Sequence, residues 1–283
     1  LADAVSSAYQ VDRFESGVKY LNQLEANNKA WPALDYVSWR AIFAEYGWVT
    51  VNGDRRQREQ AHDKLVGQLK GFVRKYPRSK FAPDALIQLA VSYEVSDPDE
   101  PAKALEWYNL CQKNYPSSSY GKRAAGAAIR LGSFGKPIAF RGTTSRGQAF
   151  DLARYKGKIV VLHFWQTWCD DGIDDELGKI ADKFKEDVVV VSCNIEAVVG
   201  QDGVDVNAST KKFKDYLTKN GSKMTWIQLH APGGVDESPL AHQLGVATEP
   251  MVALIDKKGR LVETNIAFGT LEREIVLERR RKD

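Results

Sequence analysis

Several features are scarce in this chain, and each scarcity removes a class of protein. Its 283 residues hold three cysteines, two methionines and four histidines. Three cysteines cannot all pair within one chain, and a chain of this length buries enough surface to fold without covalent staples, so a disulfide scaffold is excluded. Charge of one sign is lacking: 40 Lys+Arg against 37 Asp+Glu leave a net +3, without the basic footprint that nucleic-acid binding requires. The one basic run, Arg279, Arg280, Arg281 and Lys282, reads as a solvated helix end with cations at the negative pole. No apolar run reaches the ~20 residues of a membrane span. The opening LADAVSSAYQ lacks Met and shows no basic segment followed by an apolar core, so it has no signal-peptide pattern. There is no Gly-rich phosphate loop. His62, His230 and His242 are too scattered for a metal set, so neither metal nor bound cofactor is expected. What remains is an ordinary globular composition, 43% hydrophobic and 27% charged, at a length that favours two domains over one.

Two rhythms divide the chain. Residues 1–131 read as helices: Trp31–Val49 with Pro32 in its first turn, Asp54–Tyr76 with Leu65, Leu69 and Phe72 at helical spacing, Asp84–Val95, Pro101–Asn114, and an Ala-rich Lys122–Leu131. A repeat links them. Tyr76-Pro77-x-Ser79-x-Phe81-Ala82 returns 39 residues later as Tyr115-Pro116-x-Ser118-x-Tyr120-Gly121, and Ala85 maps to Ala124. In each copy Pro ends one helix and Ser offers a cap for the next. The breaker-rich Gly132-Ser133-Phe134-Gly135-Lys136-Pro137 then introduces a different period. A hairpin of Ile138–Phe140 with Gln148–Leu152 is followed by strands at Lys158–Trp165, Val188–Cys193, Met224–Leu229, Met251–Asp256 and Arg260–Thr264. Helices are expected at about Asp171–Phe184, Ser209–Asn220, Ser238–Leu244 and Leu271–Arg279. The expected architecture is therefore α-helical hairpin repeats over 1–131, then a mixed α/β sheet flanked by helices over 132–283.

The repeat over about residues 31–131 resembles tetratricopeptide-type helical hairpins. Such arrays present a groove to a peptide or partner protein; the plainer alternative is a helical cap that stabilises the second domain.

The segment Ile159-Val160-Val161-Leu162-His163-Phe164-Trp165-Gln166-Thr167-Trp168-Cys169 runs a buried strand into a Trp-Cys pair ahead of a helix. With Phe150–Lys158 upstream and Gly245-Val246-Ala247-Thr248-Glu249-Pro250-Met251–Asp256 downstream, it resembles the TlpA-like branch of the extracytoplasmic thiol-disulfide oxidoreductases, in the thioredoxin superfamily. The resemblance implies that Pro250 is cis and faces Cys169, and that Cys169 is the redox thiol. It further implies that Trp168, Glu249 and Pro250 shape the substrate cleft, and that protein or peptide thiols and disulfides are the partners. It places the protein in the periplasm or another extracytoplasmic space. His163 would occupy the polar position beneath the thiol and Asp175 the acidic position on the following helix, both as proton-relay candidates. A satisfied core histidine is the alternative for His163.

A cysteine at a helix N-terminus is acidified by unpaired N–H groups and the dipole, and its thiolate attacks disulfides. Here Asp170, Asp171, Asp174, Asp175 and Glu176 crowd the same helix start and oppose a thiolate, while stabilising the helix. The larger departure is Cys169-Asp170-Asp171-Gly172: Gly172 replaces the resolving cysteine of Cys-x-x-Cys. Cys193 in its Val-rich strand and Cys111 on its helix read as buried structural thiols. A peroxidase pattern is not met, since Gln166 and Leu162 stand where Thr/Ser and Pro are required. The expected function is thus, at most, monothiol exchange through Cys169, with an external small-molecule thiol as one variant. The alternative is a non-catalytic interaction module, and whether the chain is an enzyme stays open at this level.

Overall fold

The computed structural model describes residues 14–27, 31–96, 101–169 and 173–281. The chain folds as two compact units, Leu1–Tyr115 and Pro116–Asp283.

In the first unit, helices α1 (Phe14–Asn27), α2 (Leu34–Asn52), α3 (Arg55–Lys75), α4 (Ala82–Ser96) and α5 (Pro101–Asn114) each pack on the next in the chain. Patterning explains the arrangement. α3 buries Leu65, Leu69 and Phe72, one stripe at helical spacing, against Trp39 and Ile42 of α2 and Ala85 and Leu89 of α4. The Trp39 ring lies 5.4 Å from Phe72 and stacks on Phe81 at 5.8 Å. Asp54 caps α3 in a capping box with Gln57, worth about 1 kcal/mol. α2 starts at Leu34, so Pro32 lies in the turn before the helix and not in its first turn. Ser79 holds the first Tyr-Pro turn, accepting from Phe81 N at 3.1 Å and donating to Asp35 Oδ2 at 2.7 Å. The Tyr115 hydroxyl donates to the Pro77 carbonyl of that turn at 2.6 Å.

The second unit begins earlier than residue 132. Helix α6 (Ser119–Gly132), capped by Ser118 through Gly121 N, belongs to it. α6 packs on α10 (Pro239–Leu244) at a distance only glycine permits. A Cβ on Gly126 would meet His242 O at 1.8 Å, and one on Gly245, where φ is +52°, would meet Ala127 N at 2.0 Å. An Ala-rich helix reads alike on either side of the composition break at 131/132, so that break does not mark where the packing changes.

The five-stranded sheet has the order β7-β4-β3-β8-β9. Its strands are β3 (Ile159–Trp165), β4 (Val188–Asn194), β7 (Ile227–His230), β8 (Met251–Ile255) and β9 (Leu261–Thr264). β3 pairs parallel with β4 and antiparallel with β8, β4 pairs parallel with β7, and β9 closes the edge antiparallel to β8. Every residue of β3 is buried because both faces are covered. Val160, Leu162 and Phe164 meet Phe140, Leu240 and Leu244. Ile159, Val161 and Trp165 meet Leu177 and Ile180 of α7 (Ile173–Lys183), Phe213 of α8 (Val206–Asn220) and Ile275 of α11 (Leu271–Arg280). Each such aliphatic side chain contributes about 1.5–3 kcal/mol by burial.

The leading hairpin is β1 (Arg141–Thr143) with β2 (Ala149–Asp151), three residues later on its first arm than expected. A small hairpin of β5 (Val199–Gly200) and β6 (Gly203–Val204) and a short helix α9 (Gly234–Glu237) add to the expected elements. No helix among the described residues is long and apolar enough to cross a membrane.

Candidate functional site

β3 ends at Trp165, and the four residues after it carry the site: Gln166, Thr167, Trp168 and Cys169. Three backbone N–H groups pin this turn and the segment beside it. Cys169 N donates to Gln166 O at 2.9 Å, Thr167 N to Glu196 Oε2 at 2.7 Å, and Ala197 N to Gln166 Oε1 at 2.9 Å. Glu196 is fully buried, and its other oxygen accepts from Lys212 Nζ of α8 at 2.7 Å. A buried carboxylate is tolerated only when paired and hydrogen-bonded, and both conditions are met here. The result is a loop whose shape is set before any substrate arrives. At its tip Trp168 is 58% exposed and Cys169 8% exposed, so an open indole stands next in the chain to a nearly covered thiol.

The start of β8 is tied to this turn. The Glu249–Pro250 peptide is cis. Gln166 Nε2 donates to Glu249 Oε1 at 2.5 Å, so one side chain ties the cysteine turn to the cis-proline loop. Glu249 Oε2 is buried without a hydrogen-bond partner. Burial pushes the Glu249 carboxyl up to about 7; the hydrogen bond from Gln166 and the charge of Arg123 oppose that rise, while Glu196 and Asp236 add to it. Glu249 is therefore a carboxyl that exchanges its proton near neutral pH.

The remaining candidates fall elsewhere. His163 is wholly buried on the α7 face of the sheet; its Nδ1 is 3.4 Å from Ser192 Oγ, its Nε2 has no partner, and its ring stacks on Trp165 at 6.1 Å. Burial holds the imidazole down to about 3, so it is neutral across the physiological range. Asp175 lies on the first turn of α7. Gly172, with Asp170 and Asp171, lies outside the described residues. Of the other acids there, Asp174 accepts from the Tyr216 hydroxyl at 2.8 Å and Glu176 from Gly269 N at 2.9 Å. Cys193 is fully buried, paired in register with Phe164 on the sheet face away from α7, and burial raises its thiol well above the usual range. Cys111, in the first unit, is also buried, its thiol donating to Pro83 O at 3.5 Å.

Sequence reasoning misses Gln166 and Glu196. Gln166 stands out in the sequence only as a mismatch to a peroxidase pattern, and Glu196 sits past the end of β4 in a stretch with no motif. The signal for both is conformational: a polar side chain one or two residues beyond a buried strand has to be satisfied by whatever the next strand end brings near it.

Central parallel strands with an antiparallel neighbour, helices on both faces, a cysteine just after the central strand and a cis-proline opening the antiparallel partner make up a thioredoxin-like fold. No family model matches the chain. The thiol-disulfide oxidoreductase ResA of Bacillus thuringiensis (strain Al Hakam) is 27% identical over 133 residues, 46% of this chain and 67% of that protein, and ResA of Bacillus anthracis gives the same values. Among solved structures, a thiol-disulfide oxidoreductase from Bacteroides fragilis is 17% identical with a TM-score of 0.41, covering 49% of this chain and 96% of that one. The pneumococcal exposed lipoprotein thioredoxin Etrx1 of Streptococcus pneumoniae is 29% identical with a TM-score of 0.38, covering 50% of this chain and 97% of that one.

Proposed function

We propose that the second unit carries out thiol–disulfide exchange as a monothiol, with Cys169 as the attacking sulfur. The observation that carries this reading is the Gln166 side chain, which locks the Trp168-Cys169 turn to Glu249 and cis-Pro250. A substrate disulfide R–S–S–R′ would lie between Trp168 and Pro250. The Cys169 thiol gives its proton to solvent, and its thiolate attacks one sulfur, forming Cys169–S–S–R and breaking the S–S bond. The leaving R′S⁻ takes a proton from the Glu249 carboxyl, which regains one from solvent. With Gly172 in the resolving position, a second external thiol R″SH completes the cycle. Its sulfur releases R–S–S–R″, and its proton restores the Cys169 thiol. The exchange is redox-neutral overall and needs no bound cofactor.

His163 is not carried into this scheme, because an imidazole held down to about 3 accepts no proton at working pH. Nor is Asp175, which has no bond to the cysteine turn among the described residues. The first unit supplies the protein-docking element. Two cavities there, of about 390 and 640 Å³, share Glu45, Trp48, Val49 and Gln57 among their walls, which suits the partner groove that tetratricopeptide-like hairpins offer. An extracytoplasmic location goes with this reading. The test is capture: the full chain, incubated with a model peptide disulfide, should yield a Cys169 adduct that Cys169→Ser abolishes. Gly172→Cys should shorten the adduct's lifetime by supplying the resolving thiol. No adduct, or one unchanged by Cys169→Ser, would leave the interaction-module reading in its place.

A further inference from the structure

α6 carries two arginines on one stripe, seven residues apart, and both are buried. They reach the same short stretch of chain. Arg130 Nε donates to Leu244 O at 2.8 Å and its Nη2 to Gly245 O at 3.2 Å. Arg123 Nε donates to Val246 O at 2.9 Å and its Nη2 to Ala247 O at 2.7 Å. Four successive carbonyls, just before Thr248-Glu249-Pro250, are thus taken up by two guanidiniums. A planar fork of donors suits this task, and a lysine could not reproduce it.

The two arginines differ in one respect. Arg123 also donates from Nη1 to Asp236 Oδ1 of α9 at 2.5 Å; the Arg123 side chain is 6% exposed and that of Asp236 43%. Arg123 is therefore a buried cation whose counter-ion is half in water. It grips the chain at Ala247, two residues before a carboxyl of the exchange site.

We propose that Arg123 is a positioning residue of the exchange site: its bonds to Val246 and Ala247 fix the segment that presents Glu249 and Pro250, and its charge, tempered by Asp236, favours the ionised form of Glu249 against the burial that keeps it protonated. α6 is then a working part of the site and not a spacer. The charges that act on Glu249 are those of Arg123 of α6, Asp236 of α9 and Glu196 after β4, the last paired with Lys212 of α8, and the neutral Gln166 after β3 hydrogen-bonds it. Cys169 lies in the same turn as Gln166; Asp170 and Asp171, next in sequence, lie outside the described residues. Removing the Arg123 charge favours the neutral carboxyl and moves its titration upward. Removing the Asp236 charge moves it downward, because a repelling carboxylate is lost and the Arg123 cation is left less compensated.

The test is a ¹³C NMR titration of the glutamate carboxyls in the full chain, with Glu249→Gln assigning the signal. The Glu249 midpoint should rise in Arg123→Met and fall in Asp236→Asn, and in Arg123→Lys, which keeps the charge but not the fork, it should rise by less than in Arg123→Met. Asp236 is half exposed, so its variant keeps the fold if Arg123→Met does not. An unmoved midpoint in Asp236→Asn, or an upward one, overturns the proposal. The effect on chemistry rests on the exchange reading: as Glu249 loses its proton the leaving thiolate loses its acid, and the pH at which Cys169 capture falls for that reason should move in the same direction as the midpoint. A midpoint that moves as stated while wild type captures no disulfide would support the charge coupling and overturn only the exchange reading.

Discussion

α4 and α6 occupy equivalent places in the 39-residue repeat, yet they serve different cores. In α4 the register places Asp84, Ala85 and Ile87 at the helix start; Ala85 and Ile87 are fully buried, and Ala85 joins the core of Trp39, Leu69 and Phe72. The matching positions of α6 are Arg123, Ala124 and Gly126. Ala124 is equally buried, but Gly126 abuts His242 O and Arg123 grips the carbonyls ahead of the cis-proline. A shared pattern of turn, cap and small residue makes both helices. What each one packs against is decided by two positions, where α6 exchanges an acid for a buried arginine and a large aliphatic for glycine.

Writing the α4 residue into α6 is the most severe way to break that distinction. Gly126→Ile forces backbone atoms apart and is expected to cost upwards of about 4 kcal/mol in the second unit, seen as loss of its cooperative thermal unfolding. Arg130→Leu leaves the Leu244 and Gly245 carbonyls buried without that donor and should cost about 2–4 kcal/mol by denaturant titration. If either variant unfolded as wild type does, α6 would have no structural part in the second unit.

A smaller effect separates the two units by pH. In the first unit Lys75, Tyr76 and Tyr115 are raised from values of 10 or more. In the second, Glu249 is raised from 4.5 to about 7. Its folded form holds the proton more tightly than its unfolded form, so its contribution to stability is full below about 4.5 and lost as pH rises through about 7. Glu249→Gln removes that dependence, and the variant should gain on wild type steadily between pH 4.5 and 7 and level off above. A difference that stayed constant with pH would mean the carboxyl titrates normally.

The smallest change near neutral pH is expected at His163. Its depressed imidazole costs stability only as pH falls below 6.5 toward 3. His163→Leu should therefore relieve acid sensitivity in melting experiments while leaving Cys169 capture at pH 7 within about twofold of wild type, a difference under ~0.5 kcal/mol.

Much of this structure is readable from residue order. The strand Ile159–Trp165, the Trp-Cys step after it and the Glu-Pro before Met251 are local signals, each carried by contiguous residues whose periodicity or ring constraint acts at short range. The helices of the first unit are readable for the same reason, with Asp54 capping where the pattern starts, as Ser118 does for α6. The parts that escape are pairings across long separations. Gln166 meets Glu249, Thr167 meets Glu196, and Arg123 meets residues more than a hundred positions away. None of these has a local signature, since an exposed and a buried Gln or Arg look alike in a sequence. His163 shows the converse: a residue type suited to proton transfer stands where burial removes its proton.

The exchange proposed for the second unit rests on the reactivity of one sulfur. Mass spectrometry of the full chain, after brief exposure to a small aromatic disulfide under native conditions and then proteolysis, measures which cysteine carries the adduct. A single adduct at Cys169 is predicted, absent in Cys169→Ser, with the buried Cys111 and Cys193 unmodified until the chain is unfolded. Equal or faster labelling of Cys193, or no labelling of Cys169 in the folded chain, would contradict it.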